Sequence, residues 1–217
     1  MFNLCIVIQE IEHIDKKEQI LTVAEKLFSE QDFDAVSVRD IAKEANVNIA
    51  MISYYFGSKE KLFEEIIIRR IESSMAILRG KITPGMTGYE KMQAVIDYYI
   101  DKLIGNRNVH RMKNRELSSS NRPHLRELIM GKMRANREFI KAIMEEAIAN
   151  KEFKPEMDID MTIMNFFSTI QHIVGASYYS CDMFDKKTDA ELFTPEFTER
   201  LKAYFKETFK HNLLINR

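Results

Sequence analysis

The side chains best suited to catalysis are few and scattered along this chain. The five histidines lie far apart, at His13, His110, His124, His172 and His211. No serine or cysteine sits in a motif that would make it an activated nucleophile beside a base. The sequence has no glycine-rich phosphate loop, no HExxH motif and no CxxC motif. We therefore expect a protein that is not an enzyme and that carries no cofactor and no metal site.

The composition is that of a folded helical protein. Hydrophobic residues make up 45% and charged residues 30%, while Gly (7) and Pro (4) are scarce among 217 residues, which favours helices over turn-rich β structure. The formal net charge of -1 gives the whole chain no general attraction to nucleic acid. The two cysteines match no disulfide framework, and no apolar run is long enough to span a membrane. These features predict a cytoplasmic protein with no membrane partner.

The chemistry of nucleic-acid recognition is concentrated in residues 37–56. Two short helices that cross sharply need a small residue at their contact and a turn that tolerates unusual backbone angles. Ala42 can be the small contact, and Asn46 can adopt the left-handed conformation of the turn. Ser37 and Asp40 have capping-box spacing, and Asn48 can cap the second helix. The pattern predicts a helix-turn-helix.

The outward residues of this segment could read DNA. Asn48 could bond a base edge or a phosphate, and Ala, Ile and Met side chains can contact thymine methyl groups. Tyr54 and Tyr55 could donate to phosphate oxygens, whereas Arg39 and Lys59 would supply positive charge. Acidic residues nevertheless outnumber basic ones between residues 15 and 61, so the same side chains could also be the core and rim of a small helical bundle.

Residues 19–63 resemble the DNA-binding domain of TetR/AcrR-type repressors. The most specific part is Tyr-Phe-Gly-Ser-Lys-Glu-Lys-Leu-Phe at 55–63, directly after the helix-turn-helix. The rest of the chain is similar only in length, helicity and helix order. Asp32 and Asn46 stand where glycines are usual, Met51 stands at a frequent Thr and Ser53 at a frequent Tyr. The first two departures modestly affect loop geometry, and the last two put individual base and phosphate contacts in question but not the mode of binding.

The resemblance implies an all-α fold of about nine helices, a homodimer, a palindromic double-stranded operator and a small molecule that weakens DNA binding. It also implies the positions of the DNA contacts: Ser37, Val38, Arg39, Asn48, Ile49, Ala50, Met51, Tyr54, Tyr55 and Lys59.

The second half of the chain has helices that need partners. The stretch 158–179 is predicted as one helix that is apolar on more than one face, and 195–211 as an amphipathic helix after a polar linker at 182–190. Two such helices from each subunit would form a four-helix dimer interface. The alternative is a core helix inside a monomer.

An effector pocket would combine pliable apolar side chains with a few polar ones. Eleven of the 13 methionines follow the DNA-binding unit, and Met suits a cavity as well as an ordinary core. The wider set of polar candidates includes Tyr98, His110, Arg111, Asn165 and Tyr178. The preferred ligand-binding residues are Tyr99, Glu116, Phe167, Gln171 and His172, for a small and largely apolar effector.

These interpretations divide the chain into three parts. Residues 1–14 form an N-terminal extension, either an ordered part of the first helix or a tail. Residues 15–62 form a three-helix DNA-binding domain, and residues 63–217 a larger helical domain for ligand binding and dimerisation. The expected function is a repressor released by its effector. The rivals are a helical interaction protein without operator binding and a helical enzyme.

Overall fold

The computed structural model describes residues 2–119 and 121–215, with side chains from residue 15 onward. Within these ranges the chain forms eleven α-helices. Their bounds are α1 Phe2–Glu30, α2 Val38–Glu44, α3 Ile49–Phe56, α4 Lys59–Lys81, α5 Gly88–Gly105, α6 Arg107–Ser118, α7 Pro123–Ala149, α8 Ile159–Gly175, α9 Ser177–Met183, α10 Asp189–Leu192 and α11 Pro195–Leu213. The all-α prediction is confirmed. The backbone of 2–14 belongs to α1, but residue 1 and the side chains of the predicted extension lie outside the described residues.

Local side-chain chemistry explains where the helices begin. Ser37 forms a reciprocal capping box with Asp40, while Asn48 and Ser58 cap α3 and α4 through their side-chain oxygens. Thr194 caps α11, and proline occupies its first turn. Each cap satisfies backbone N–H groups that have no partner within the helix. The capping box predicted for Ser37 and Asp40 and the cap predicted for Asn48 are therefore confirmed.

Two sequence predictions about the second half are wrong in detail. The predicted helix 158–179 is two helices, because Ala176 leaves the helical conformation (φ -100°, ψ 50°) and a new helix starts at Ser177. The predicted polar linker contains the short helix α10, which Thr188 caps. These two elements account for eleven helices instead of about nine.

The described core consists of two clusters. The N-terminal cluster joins α1 to α4 and also includes Met112, Leu125 and Ile129 from α6 and α7. The C-terminal cluster is built from α4, α5, α7, α8 and α11. Since α4 contributes to both clusters, and α1 packs on α6, the two halves of the molecule are joined by packed side chains and not by a loop.

A close contact between the start of α5 and α7 positions the helices around the C-terminal cluster. A Cβ on Gly88 would lie 2.3 Å from the Cβ of Ala147, so only glycine fits where α5 begins against α7. The Gly88 amide also donates to the Glu152 carboxylate at 2.6 Å.

No helix in the described ranges is long and apolar enough to cross a membrane.

Candidate DNA-binding surface and effector cavity

The turn between α2 and α3 has the geometry that the sequence predicted. Asn46 has a φ of 49°, and the Val47 amide closes the turn by donating to the Ala42 carbonyl at 3.0 Å. Ala42 is buried at the helix contact, together with Ile41 and Ile52. These contacts hold α3 at a fixed angle to α2, which is the arrangement of a helix-turn-helix.

The outer face of α3 is exposed and carries little formal charge. Tyr54 is 73% exposed and Ile49 is 44% exposed, which is high for side chains of their size. Asn48 and Ala50 are exposed beside them, while Met51 and Tyr55 are half-buried. The Asn48 cap uses the amide oxygen, which accepts from the Ala50 amide at 2.9 Å, so the cap does not use the side-chain nitrogen.

The start of α2 flanks this face. Ser37 and Arg39 are exposed, and Val38 is half-buried. The Ser37 hydroxyl donates to the Asp40 carboxylate at 2.5 Å and accepts from the Asp40 amide at 3.1 Å. Hydrogen bonds from Ser37 hold the pKa of Asp40 below its ordinary value. Ser37 therefore has a defined structural role as a cap. The DNA contacts predicted for these residues remain predictions.

Lys59 binds the protein itself. Its ammonium donates to the carbonyls of Phe33 and Val36, both at 2.9 Å, and lies 4.2 Å from the centroid of the Phe33 ring. It thus holds the loop that leads into α2. Sequence reasoning predicted only a phosphate contact for Lys59, and that contact remains a prediction.

An arginine from the second half of the chain reaches the same loop. The Arg122 guanidinium forms two 2.8 Å hydrogen bonds to the Glu116 carboxylate and lies 4.1 Å from the Phe33 ring centroid. It also approaches Asp34 at 3.5 Å. Arg115 donates to the carbonyls of Phe28 and Gln31 near the end of α1. We call Arg115, Glu116 and Arg122 the junction cluster.

The junction cluster changes the interpretation of Glu116. This residue is only 3% exposed, and its carboxylate is committed to Arg122 at the base of the DNA-binding unit. The structure does not place it in the effector cavity with Tyr99. Its position follows from the packing of α6 on α1, which sequence spacing alone does not reveal.

A cavity suited to an apolar ligand, with a volume of about 580 Å³, lies among α4, α5, α6, α7 and α8. Tyr99, Phe167 and Gln171 all line it, and the rings of Tyr99 and Phe167 meet edge to face at 4.8 Å. Five methionines also line it: Met75, Met130, Met133, Met161 and Met164. The volume falls in the range of about 300–1,000 Å³ that is usual for small-ligand sites.

His172 does not belong to this cavity. It is exposed on α8, and its ring packs against that of Tyr179 at 5.6 Å. Of the wider candidate set, His110 lines the cavity, whereas Arg111 binds the Val174 carbonyl and Asp189. Three of the five preferred ligand-binding residues are therefore brought together.

Two lysines that sequence reasoning missed line the cavity beside Tyr99. Burial lowers the pKa of Lys113 to about 8. Burial also lowers the pKa of Lys102 to about 8, and the positive charges of Lys113 and Arg70 lower it in the same direction. Burial and the neighbouring lysines lower the pKa of His110 to about 2, so its imidazole is neutral. The missed signal is spacing: Lys102 follows Tyr99 by three residues on α5, and Lys113 follows His110 by three on α6.

Several large apolar side chains of the second half are exposed, and two of them, Met161 and Met164, also line the cavity of about 580 Å³. Tyr178 is 91% exposed, and the other exposed members on α8, α9 and α11 are Met161, Met164, Tyr179, Met183 and Tyr204. Large exposed apolar patches mark interaction surfaces.

No group of three or more His, Cys, Asp or Glu side chains in the part of the chain with described side chains is arranged to hold a metal ion.

A helix-turn-helix with an exposed reading helix, joined to a helical unit with a cavity between its helices, is the arrangement of a DNA-binding regulator. Comparison with known families identifies which one. The model of bacterial regulatory proteins of the tetR family matches residues 20–66. The model of the tetracyclin repressor-like C-terminal domain matches residues 85–174. The chain belongs to the TetR family, whose members are DNA-binding transcriptional regulators and not enzymes.

Individual relatives agree with this assignment. The probable HTH-type transcriptional regulator YttP of Bacillus subtilis is 24% identical over 204 residues, covering 91% of this chain and 95% of that protein. The fatty acid metabolism regulator protein of the same organism is 26% identical over 162 residues, covering 73% and 81%. The crystal structure of B. subtilis FadR in complex with stearoyl-CoA shares the fold, with a TM-score of 0.69, 24% identity and coverage of 87% and 96%.

Proposed function

We propose that this regulator is a cytoplasmic repressor that binds a palindromic operator as a homodimer and is released by a largely apolar effector. Residues 15–62 would form its DNA-binding domain and residues 63–217 its effector and dimerisation domain. The observation that carries the proposal is the exposed apolar and aromatic face of α3, with Ile49 and Tyr54 in the open.

Operator binding would use that face in the major groove. Ile49, Ala50 and Met51 would contact thymine methyl groups, and Asn48 would bond a base edge or a phosphate. Tyr54 and Tyr55 would donate to phosphates, with Ser37, Val38, Arg39 and Lys59 at the edge of the contact. Because this surface is nearly neutral, one copy should bind weakly. A palindromic site occupied by two copies supplies the missing affinity.

Dimerisation would cover the exposed apolar face. Met161 and Met164 on α8 are 60% and 62% exposed, and Tyr204 on α11 is also 60% exposed. Two helices from each subunit would bury these side chains in a four-helix interface. Exposed His172 lies on the same side of α8 and would belong to this interface.

The effector would act through α6. His110 and Lys113 of α6 line the cavity, while Arg115 and Glu116 of the same helix belong to the junction cluster that holds the loop before α2. A ligand that shifts α6 would therefore move the support of the DNA-binding unit. The stearoyl-CoA in the FadR structure supports an effector with a long apolar chain.

Two measurements test the proposal. Fluorescence anisotropy with labelled DNA from upstream of its own gene should show specific binding that fails for a scrambled duplex. Sedimentation at micromolar concentration should show a dimer. A stable monomer, or equal affinity for both duplexes, would refute the corresponding part of the proposal.

A further inference from the structure

Polar side chains on one wall of the effector cavity also line a second cavity. A second cavity, of about 380 Å³, lies among α4, α5 and α6. Lys102, His110 and Lys113 line both this cavity and the larger one. A ligand in the apolar cavity would therefore reach a short polar segment built from α5 and α6.

The two ammonium groups of this wall lack an acidic partner. Lys102 donates to the hydroxyl of Ser74, a neutral group that also accepts from Tyr98 at 2.8 Å. Within the described ranges, no carboxylate forms an ion pair with either lysine. Asp101 lines the smaller cavity, but its carboxylate pairs with Lys202 at 2.7 Å. Unpaired charge near a protein interior is costly, so its presence here calls for a partner from outside the chain.

Three neighbouring buried polar atoms make no hydrogen bond of normal geometry: the Tyr99 hydroxyl, the Asn136 amide oxygen and Nδ1 of His110. The polar groups of Tyr99 and Asn136 interact with each other, whereas Nδ1 of His110 has no hydrogen-bond partner among the described residues. All three residues line the larger cavity. Buried polar groups are normally fully hydrogen-bonded, so three incompletely satisfied ones beside two cations without a carboxylate partner indicate a site for a polar ligand group.

The other cations of the larger cavity are already neutralised. Arg134 pairs with Glu127, Arg137 with Glu138 and Lys141 with Asp160. These ion pairs are exposed and lie on α7 and α8. The positive charge available to a ligand is therefore concentrated at Lys102 and Lys113.

We infer that the effector is an amphipathic anion, whose anionic group binds between Lys102 and Lys113 while its apolar chain lies against Phe167 and the methionines. This inference rests on the proposed effector cavity and specifies the charge of what enters it. A carboxylate or a phosphate accepts hydrogen bonds from ammonium groups, and the Tyr99 hydroxyl and one N–H of neutral His110 are further donors.

Ligands that share one chain and differ in the head group test the inference. Dodecanoate, dodecan-1-ol and dodecanoyl-CoA are titrated into the full-length protein by isothermal calorimetry at pH 7. Dodecanoate or dodecanoyl-CoA should bind at least about tenfold more tightly than dodecan-1-ol, since a hydrogen bond to a charged group is worth about that factor or more. If the lysine substitutions weaken the binding of dodecanoate, the site takes a carboxylate. If they weaken the binding of dodecanoyl-CoA instead, it takes a phosphate.

Lysine variants separate a binding role from a structural one. Lys102→Met and Lys113→Met keep an unbranched side chain but remove the charge, and Lys186→Met on an exposed loop is the matched control. Each cavity variant should lose about tenfold in affinity for the anion and nothing for dodecan-1-ol. Their urea stability should equal or exceed that of the wild type, because an unpaired buried charge is removed.

The results separate failure of the anion site from failure of the effector cavity. Equal affinity for the anion and the alcohol, or loss of binding of both ligands in the lysine variants, refutes the anion site but not the apolar cavity. Failure of all three ligands to bind the wild type refutes the apolar effector and this inference with it. Operator affinity without effector should be unchanged in the variants, which keeps the DNA-binding proposal separate.

Discussion

The junction cluster should contribute measurably to stability through the pair of Glu116 and Arg122. Arg122→Met removes the partner of a carboxylate whose side chain is 4% exposed, while the Arg122 side chain itself is 14% exposed. Removing one partner of a buried ion pair costs about 3–5 kcal/mol. We expect about 3 kcal/mol, at the lower end, because the arginine retains some contact with solvent.

Urea unfolding followed by far-ultraviolet circular dichroism measures this loss at fixed protein concentration, which matters for an oligomer. The same loss would lower Tm by about 6–12 °C for a chain of this size. The exposed pair of Arg134 and Glu127 supplies the control: Arg134→Met should change stability by less than about 0.5 kcal/mol.

A double substitution completes the cycle. Glu116→Met with Arg122→Met leaves no buried charge, so most of the loss should be recovered. If Arg122→Met alone is as stable as the wild type, the buried pair does not support the junction. If the double variant is less stable than either single one, the argument from an uncompensated charge is wrong.

Four other substitutions test separate parts of the molecule. Tyr54→Ala should weaken specific operator binding about five- to tenfold, as expected for one lost hydrogen bond or base contact, whereas Tyr204→Ala should weaken dimer formation in sedimentation; unchanged operator affinity for Tyr54→Ala would contradict the assigned reading face. Lys59→Met should cost about 2 kcal/mol in urea unfolding because two carbonyls lose a charged donor, and a purely phosphate-binding lysine would leave stability unchanged. Gly88→Ala should cost about 1–3 kcal/mol through its contact with Ala147, with recovery on adding Ala147→Gly; the control Gly80→Ala, which meets no atom within 4 Å, should stabilise α4 by about 0.5–1 kcal/mol.

Features fixed by local chemistry could be predicted from the sequence. The caps at Ser37 and Asn48 depend on side chains and amides only two or three residues apart, so their spacing determines the starts of α2 and α3. The turn at Asn46 and the small contact at Ala42 are equally local. The family resemblance of residues 19–63 added the expectations of a homodimer, a palindromic operator and the positions of the DNA contacts.

Features fixed by packing between distant segments could not be predicted. Glu116 was assigned to the cavity, but α6 packs on α1, and Glu116 lies at Arg122, whose guanidinium is 4.1 Å from the ring centroid of the distant Phe33. Lys102 and Lys113 were missed because charged residues on a helix normally face solvent, and only the assembled cavity shows them beside Tyr99. The break at Ala176 was missed because the apolar pattern of 158–179 continues across it.

Footprinting of the full-length protein on DNA from upstream of its own gene tests the central claim most directly. We expect one protected segment with two-fold symmetric halves, which needs about five- to tenfold more protein in Tyr54→Ala and is weakened when a ligand occupies the cavity. Uniform, sequence-independent protection, or a footprint that forms at the same protein concentration in Tyr54→Ala, would contradict the proposed function.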